Sequence, residues 1–311
     1  MSAIRKYLSG DKISLALIEK IVGIPTKLRV NYETVTSFKK EFGNYIEIYM
    51  SNIRNSFSTK AVLHFGEIVV IESQVQLTAY LFKLKIRSYD KLTDITELEI
   101  NGSKIKLAGL QCGEDLGVFT GAYNIDVRDK FVLDVFANIC DSAIHFINSG
   151  AFRVVTVEVV PFSFNLLRKN VEINGLSDVI IPINGAVSAK SGIFNIPYRR
   201  SNAIGTGVNS LRYPDCPPGV EFVKKTLGSF IEEFDIESEV LKVDCEGCEY
   251  EALLGAEGNR IINAFDEIAL EYHYGAERIE NFLRELHYTV EATPEKSITI
   301  KIPFPTRCIL G

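Results

Sequence analysis

The feature that most constrains the fold is a strand that runs directly into a helix at residues 130–141. The sequence there reads K-F-V-L-D-V-F-A-N-I-C-D, an apolar run that ends in an acid, followed by a tight turn and a helix start. Such a unit places backbone N–H groups and the helix N-terminus beside any ligand bound over the carboxyl edge of a parallel sheet. The sequence therefore predicts a ligand crevice at this turn.

Two further strands follow this unit at short intervals. Residues 153–160 read R-V-V-T-V-E-V-V, and their one acid, Glu158, stands where nucleotide-binding α/β units hold a ribose. Residues 161–174 have apolar positions at a helical spacing and lead to a third strand at 178–183. Three strands joined by two helices imply right-handed parallel crossovers, the core of a doubly wound sheet.

A second group of polar residues follows a buried strand predicted at 240–243. Asp244 and Glu246 emerge at its carboxyl edge, and a parallel strand at 267–270 delivers His273 to the same edge. Because histidine and carboxylates accept protons, these three side chains are candidate general bases, with His273 and Asp244 ranked first. In the structural alternative, Glu246 caps the following helix and His273 satisfies a backbone carbonyl.

Four stretches of the chain together resemble the FkbM-type methyltransferases, a branch of the S-adenosylmethionine-dependent class I enzymes. They are D-V-F-A-N-I-C-D from Asp134, E-V-V-P from Glu158, K-N-V-E-I-N-G-L from Lys169 and, most specific, K-V-D-C-E-G-C-E-Y-E from Lys242. The resemblance extends over residues 119–288. It departs from the family pattern at Phe136 and Cys140, where family members usually have glycine.

The resemblance implies a fold, a cofactor and a set of site residues. The fold is α/β, a class I methyltransferase Rossmann-like doubly wound sheet of seven strands, the last one antiparallel, with a smaller N-terminal α+β region. The cofactor is S-adenosyl-L-methionine, and no metal is expected. The expected cofactor-binding residues are Tyr123, Asp134, Phe136, Ala137, Asn138, Asp141, Glu158 and Asn184, although Tyr123 has a packing role as its alternative. The expected catalytic residues are Asp244, Glu246 and His273.

The phenylalanine at position 136 leaves two functional hypotheses open. Glycine in such a turn lets a ligand approach the main chain, so a ring at Phe136 can occupy part of the cofactor's space. If the ring points into the core, the chain is a methyltransferase, and we expect O-methylation of a sugar or other small-molecule hydroxyl. If Phe136 and Cys140 close the pocket, the chain is a non-catalytic binding or scaffold protein. A dinucleotide-dependent oxidoreductase ranks third because G-x-G-x-x-G is missing.

The sequence divides near residue 115 of 311. Residues 1–115 are expected to form an N-terminal α+β region that binds substrate or a partner, and residues 116–311 the methyltransferase domain. Lys and Arg number 16 against 11 Asp and Glu in residues 1–110, and 18 against 29 beyond them. Nucleic-acid binding depends on neutralising phosphates, so the acidic part predicts a small-molecule or glycan acceptor and no nucleic acid. An oligomer is left open.

Cysteine usage and apolar run lengths bear on the location of the protein. Six cysteines without secretory features favour reduced thiols and a cytoplasmic protein, although a thermophilic host could keep intracellular disulfides. No apolar run reaches the length of a membrane span. Cys245 and Cys248 form a C-x-x-C pair, for which a redox or metal role is disfavoured because acids surround it. Two methionines and no tryptophan favour a thermophilic source.

Residues 80–87 alternate apolar side chains with Lys83, Lys85 and Arg87. This pattern predicts a strand with three cations on one face. The face is either solvated or holds an anionic substrate group.

Overall fold

A computed structural model gives the structure of the chain. The residues that it describes are 38–53, 57–64, 66–81, 84–90, 92–110, 114–120, 123, 125–196, 220–245, 248–254, 258–272, 274–292 and 297–301. The chain forms two compact units, one up to residue 83 and the other from residue 84 onwards. No helix within the described ranges has both the length and the apolar character that crossing a membrane requires.

The smaller unit combines two helices with a two-stranded antiparallel ribbon. The helices are α1 (Tyr45–Ile53) and α2 (Gln74–Leu81), and the strands are β1 (Thr59–Val62) and β2 (Ile68–Ile71). Its core is formed by Phe38, Phe42, Ile48, Ala61, Ile71 and Leu77. This unit is therefore an α+β element with a small core of its own.

The larger unit begins with a three-stranded antiparallel meander. Its strands are β3 (Lys85–Asp90), β4 (Ile95–Ile100) and β5 (Ser103–Ala108). The strand predicted over residues 80–87 is wrong in its first part, because Tyr80 and Leu81 belong to α2. Lys85 and Arg87 both form ion pairs with Glu99 on β4. Their charges are thus balanced on an exposed face, in agreement with the solvated interpretation.

The centre of the larger unit is a mixed sheet of nine strands among the described residues. Its strands are β6 (Phe131–Val135), β7 (Arg153–Glu158), β8 (Ile180–Val187), β9 (Gly192–Ile196), β10 (Val220–Lys225), β11 (Glu239–Val243), β12 (Phe265–Glu271), β13 (Thr289–Ala292) and β14 (Ser297–Lys301). Their order is β13-β14-β12-β11-β6-β7-β8-β10-β9. The seven strands from β13 to β8 confirm the predicted Rossmann-like fold, with the last strand, β14, antiparallel to both its neighbours.

Helices cover both faces of this sheet. They are α3 (Asp141–Asn148), α4 (Pro161–Ile173), α5 (Leu227–Phe234), α6 (Glu249–Leu253), α7 (Gly258–Ala264) and α8 (Glu277–Glu285). Side chains alternate along a strand, so Leu133 and Val135 join the core formed with α5, α7 and α8. Asp134 points to the opposite face, where Ser142 of α3 contacts it. The arrangement is therefore doubly wound.

Two strands extend the sheet beyond the seven that the sequence predicts. β10 pairs in parallel with β8, and β9 pairs antiparallel with β10. Gly185 on β8 permits this approach, since a Cβ atom there would lie 2.8 Å from the Val223 oxygen. The sequence analysis gave no strand at residues 192–196, which β9 occupies.

The compact units divide between residues 83 and 84, and the domain boundary near residue 115 stays a prediction. Asn170 of α4 accepts the N–H of Ala108 at 2.7 Å and donates to the Ala108 oxygen at 3.1 Å. One turn later, Asn174 makes the same pair of bonds with the backbone of Lys106, at 2.9 and 2.7 Å. These amides tie the meander to α4, a contact that leaves no periodic trace in the sequence.

The first prediction concerns this attachment. We expect Asn170→Ala to lower the free energy of unfolding by about 3 kcal/mol, because it leaves buried backbone groups without partners. Asn174→Ala is the matched control and should cost only about 1 kcal/mol, since its bonds to Lys106 are exposed to water. Denaturant unfolding measures both values. Equal losses in the two variants would contradict this account of the attachment.

Candidate functional site

The turn between β6 and α3 has a backbone conformation that residues other than glycine rarely adopt. Phe136, Asn138 and Cys140 have φ values of 65°, 45° and 82°. The FkbM pattern has glycine at positions 136 and 140, so this chain keeps a glycine conformation without glycine. Each such residue costs about 1 kcal/mol or more. Backbone strain of this kind persists only where the surroundings enforce it, and it clusters at ligand sites.

Three side chains from neighbouring elements hold the turn by its backbone. The bonds join Lys242 Nζ to the Phe136 oxygen (3.0 Å), Asn170 Nδ2 to the Ile139 oxygen (2.7 Å) and the Asn138 N–H to Glu158 Oε2 (2.9 Å). The Phe136 N–H also donates to the Val157 oxygen at 2.7 Å. The turn is therefore fixed from three sides at the carboxyl edge of the sheet.

A buried ion pair lies beneath the turn. Asp134 and Lys242 are register partners on β6 and β11, and Lys242 Nζ lies 3.1 Å from Asp134 Oδ1. Their side chains are 0% and 4% exposed, respectively. Ser142 donates to Asp134 Oδ2 at 2.5 Å. Burial lowers the pKa of Lys242, but the charge of Asp134 and other nearby acids outweighs burial and raises it, so Lys242 remains a cation.

Tyr123 lies between Lys242 and the acid expected to be catalytic. Its hydroxyl donates to Asp244 Oδ2 at 3.0 Å, and Lys242 Nζ lies 5.5 Å from the centre of its ring. Burial raises the pKa of Tyr123 well above its ordinary value, Lys242 opposes this rise, and Asp244 adds to it. The phenol therefore stays protonated and acts as a donor. The structure thus brings together two residues that the sequence assigned to separate roles.

Glu158 ends β7 as predicted, but it is only 1% exposed. Its Oε1 and Oε2 atoms accept the N–H groups of Val160 and Asn138, at 2.7 and 2.9 Å. Burial raises the pKa of Glu158 to about 7, although these backbone donors and the charge of Lys242 oppose the rise. Asn184, the register partner of Glu158 on β8, donates to the Glu158 carbonyl at 2.8 Å. The residues expected at the ribose and adenine are therefore neighbours.

The Phe136 ring packs beside Glu158. It is partly buried against Val159, Val160 and Ala186, at the carboxyl ends of β7 and β8, and it also contacts the main core. The ring therefore lies at the same strand ends as Glu158, the acid expected at the ribose.

Of the other expected site residues, the structure describes three and leaves two outside the described ranges. Ala137 is fully buried, and its N–H donates to the Val157 oxygen at 3.2 Å. Asp141 is the first residue of α3 and is 9% exposed. Glu246 and His273 lie outside the described residues. Asp244 is half-buried at the end of β11, in agreement with its expected position.

Lys242 is the residue of this cluster that the sequence reasoning missed. The sequence places it between Leu241 and Val243, which are both buried. A lysine in the middle of an otherwise apolar strand was the available signal, because it requires a buried partner. The partner, Asp134, is more than a hundred residues away and could be identified only from the strand register.

Cys245 and Cys248 form a disulfide at the start of the turn that follows β11. The expectation of reduced thiols is therefore wrong for this pair. Their Cα atoms are 5.4 Å apart, within the range that a disulfide requires. Among the described residues, no group of three or more His, Cys, Asp or Glu side chains is arranged to hold a metal ion.

Comparisons with known proteins identify the class. Residues 134–290 match the family model described as Methyltransferase FkbM domain. This match covers half of the chain, and the chain belongs to the FkbM methyltransferase family. The doubly wound sheet described above is the class I architecture, and membership of the family supports S-adenosyl-L-methionine as the cofactor. A search of curated proteins gave no significant match.

Three solved structures illustrate the similarity to known folds. FkbM methyltransferase from Methylobacillus flagellatus KT is 13% identical over 55% of this chain and 43% of its own, with a TM-score of 0.38. A proposed RNA methyltransferase from Pyrococcus horikoshii is 13% identical over 73% and 96%, with a TM-score of 0.36. A proposed tRNA methyltransferase from Streptococcus pneumoniae, in complex with S-adenosyl-L-methionine, is 14% identical over 60% and 70%, with a TM-score of 0.37. The chain spans less than half the length of the first of these proteins.

The second prediction follows from the burial of Glu158. Because its folded pKa is raised, the folded state binds the proton more tightly than the unfolded state, and stability is lost as the pH rises. Between about pH 5 and pH 8, we expect the wild type to lose about 2 kcal/mol of unfolding free energy relative to Glu158→Gln. The exposed Glu172→Gln is the control and should show no such trend. A pH-independent difference for Glu158→Gln would contradict the raised pKa.

Proposed function

We propose that this protein is an S-adenosyl-L-methionine-dependent methyltransferase that methylates a hydroxyl group of a sugar or another small molecule. The observation that carries the proposal is the turn at residues 136–140, which keeps three left-handed backbone conformations in residues other than glycine. Left-handed conformations of this kind cluster at ligand sites, and here three fall within five residues at the carboxyl edge of the sheet. Membership of the FkbM family points to the same chemistry.

The residues around the turn suit a nucleoside cofactor. Glu158 is the acid for the ribose hydroxyls, and Asn184 lies next to it on β8 for the adenine side. Asp134, Ala137, Asn138 and Asp141 shape the turn that would hold the methionine part. When bound, S-adenosyl-L-methionine supplies an electrophilic methyl group on a sulfonium.

Binding of the cofactor beside Glu158 requires a movement of the Phe136 ring. Its ring packs against Val159, Val160 and Ala186, so it competes with a ribose for the space at Glu158. We propose that the ring swings away from the ends of β7 and β8 when the cofactor enters. The carboxylate of Glu158 would then exchange a backbone N–H for the ribose hydroxyls.

Asp244 is the proposed general base among the described residues. It would accept the proton of the acceptor hydroxyl. S-adenosyl-L-methionine, when bound, would supply the methyl group to that oxygen, and cleavage of its sulfur–methyl bond would leave S-adenosylhomocysteine. Tyr123 holds Oδ2 of Asp244 and stays protonated, so it positions the carboxylate instead of acting as a base. Glu246 and His273, which follow β11 and β12 in the sequence, are further proposed participants.

The acceptor class rests on charge and on a missing motif. The acidic balance after residue 110 disfavours a phosphate backbone, and no N-P-P-aromatic tetrapeptide follows β11 as in methylases of exocyclic base amines. We therefore propose a small-molecule or glycan acceptor in preference to nucleic acid. Residues 1–115 remain the proposed part for substrate or partner binding. A cytoplasmic location and a thermophilic source stay predictions of the sequence.

One observation favours a second candidate function. Glu158 is almost fully buried, with both carboxylate oxygens bonded to backbone N–H groups, and the Phe136 ring packs against Val159 and Val160, which follow Glu158. If the ring does not move, the site is closed and the chain is a non-catalytic binding or scaffold protein. This candidate differs from the first in its response to shortening Phe136.

The third prediction tests the two functions by calorimetric titration with S-adenosyl-L-methionine and S-adenosylhomocysteine. We expect micromolar binding by the wild type and at least a tenfold loss in Glu158→Ala, because the ribose hydroxyls lose their acceptor. The control Glu172→Ala, an exposed change on α4, should leave affinity unchanged. Phe136→Gly should bind equally or more tightly, since it removes the cost of moving the ring.

The contrary outcomes are distinct. Absence of heat from a folded wild type, with binding restored by Phe136→Gly, would establish the closed, non-catalytic form. Absence of heat from both proteins would reject the cofactor site altogether.

A further inference from the structure

We propose that Lys242 is a positioning residue that fixes the cofactor turn and Asp244 relative to each other. The proposal rests on the proposed methyltransferase function. It assigns Lys242 a role in the site that does not require contact with cofactor or acceptor. We infer this role from the contacts of its ammonium group, from its burial and from the nature of the residues around it.

The ammonium group of Lys242 faces three groups that belong to different parts of the site. It donates to the Phe136 carbonyl of the turn at 3.0 Å, lies 3.1 Å from Asp134 Oδ1, and lies 5.5 Å from the centre of the Tyr123 ring. Tyr123 in turn donates to Asp244 Oδ2. A single buried cation therefore connects the turn at one end with the proposed base at the other.

The hydrogen bond of Lys242 goes to the turn rather than to its ionic partner. Asp134 Oδ1 has no well-aligned hydrogen bond among the described residues, although it lies within ion-pair distance of Lys242 Nζ. The ion pair thus neutralises the charge, while the directional bond is made with Phe136. Because Phe136 has a left-handed φ of 65°, its carbonyl needs such an anchor to keep its direction.

Stability alone does not account for this lysine. Buried ion pairs often contribute no more than well-packed apolar residues of similar size, since desolvation offsets the Coulombic attraction. The strand around Lys242 is otherwise apolar, and Leu241 and Val243 are fully buried. An apolar residue would satisfy the sheet, but it would leave the Phe136 carbonyl without a donor and Tyr123 without a cation. The contacts therefore favour a positioning role.

A lysine is also the side chain whose geometry suits this place. Its ammonium is a compact charge with three donors on a flexible stem, so it can serve a carbonyl, a carboxylate and an aromatic face at once. Tyr123 presents the ring to Lys242 and the hydroxyl to Asp244. Movement of the turn would be transmitted to Asp244 through these two contacts.

The test compares two variants by calorimetry with S-adenosylhomocysteine and by hydrogen exchange without it. Lys242→Gln alone leaves the Asp134 charge buried and unpaired, and such a change can prevent folding. The double variant Asp134→Asn with Lys242→Gln removes both charges and avoids that difficulty. Glu172→Gln, an exposed change on α4, is the matched control.

We expect the double variant to unfold at a denaturant midpoint close to that of the wild type, yet to bind S-adenosylhomocysteine at least tenfold more weakly. Hydrogen exchange should accelerate at least tenfold in peptides covering residues 134–141 and residue 123, and not across the rest of the sheet. The control Glu172→Gln should keep its affinity within about twofold, because this side chain is exposed on α4.

Wild-type affinity in the folded double variant would overturn the positioning role, and so would exchange that rises equally throughout the sheet. A wild type that binds no S-adenosylhomocysteine would reject the proposed function and, with it, this role. Binding by the wild type together with an unchanged double variant rejects the role of Lys242 alone.

Discussion

The ion pair between Asp134 and Lys242 is the interaction on which the rest of the site depends. Two charges in the middle of a sheet are tolerated only when they are paired, and here the strand register places them opposite each other on β6 and β11. The buried ammonium group of Lys242 also donates a hydrogen bond to the Phe136 carbonyl, and this bond anchors the turn. The turn that would hold the cofactor and the acid that would remove a proton are therefore both attached to the same cation.

The turn itself shows how a chain can replace glycine and retain its backbone. Phe136, Asn138 and Cys140 keep left-handed conformations because Lys242, Glu158 and Asn170 bind the backbone around them. The strain is thus balanced by side chains from three different elements. The replacement has a further effect, since the Phe136 ring takes space beside Glu158. The proposed function therefore includes a ring that moves.

Much of the fold could be predicted from local patterns. The apolar runs that became β6, β7, β11 and β12 and the helical spacing of α4 were sufficient for the doubly wound sheet, because strand and helix periods are short-range properties. The edge strand β9 was missed, since a five-residue segment carries little periodicity. The positions of Asp134, Glu158 and Asp244 at strand ends followed from the pattern. The contacts of Asp134 with Lys242 and of Asp244 with Tyr123 did not, because these depend on the pairing of distant segments.

The most direct measurement of the central claim is a crystal structure of the protein with S-adenosylhomocysteine bound. The account predicts ribose hydroxyls on Glu158, the Phe136 ring displaced from Val159, Val160 and Ala186, and Lys242 still bonded to the Phe136 carbonyl. A ligand bound elsewhere, or a bound state in which the Phe136 ring keeps its place and Glu158 its backbone partners, would contradict it.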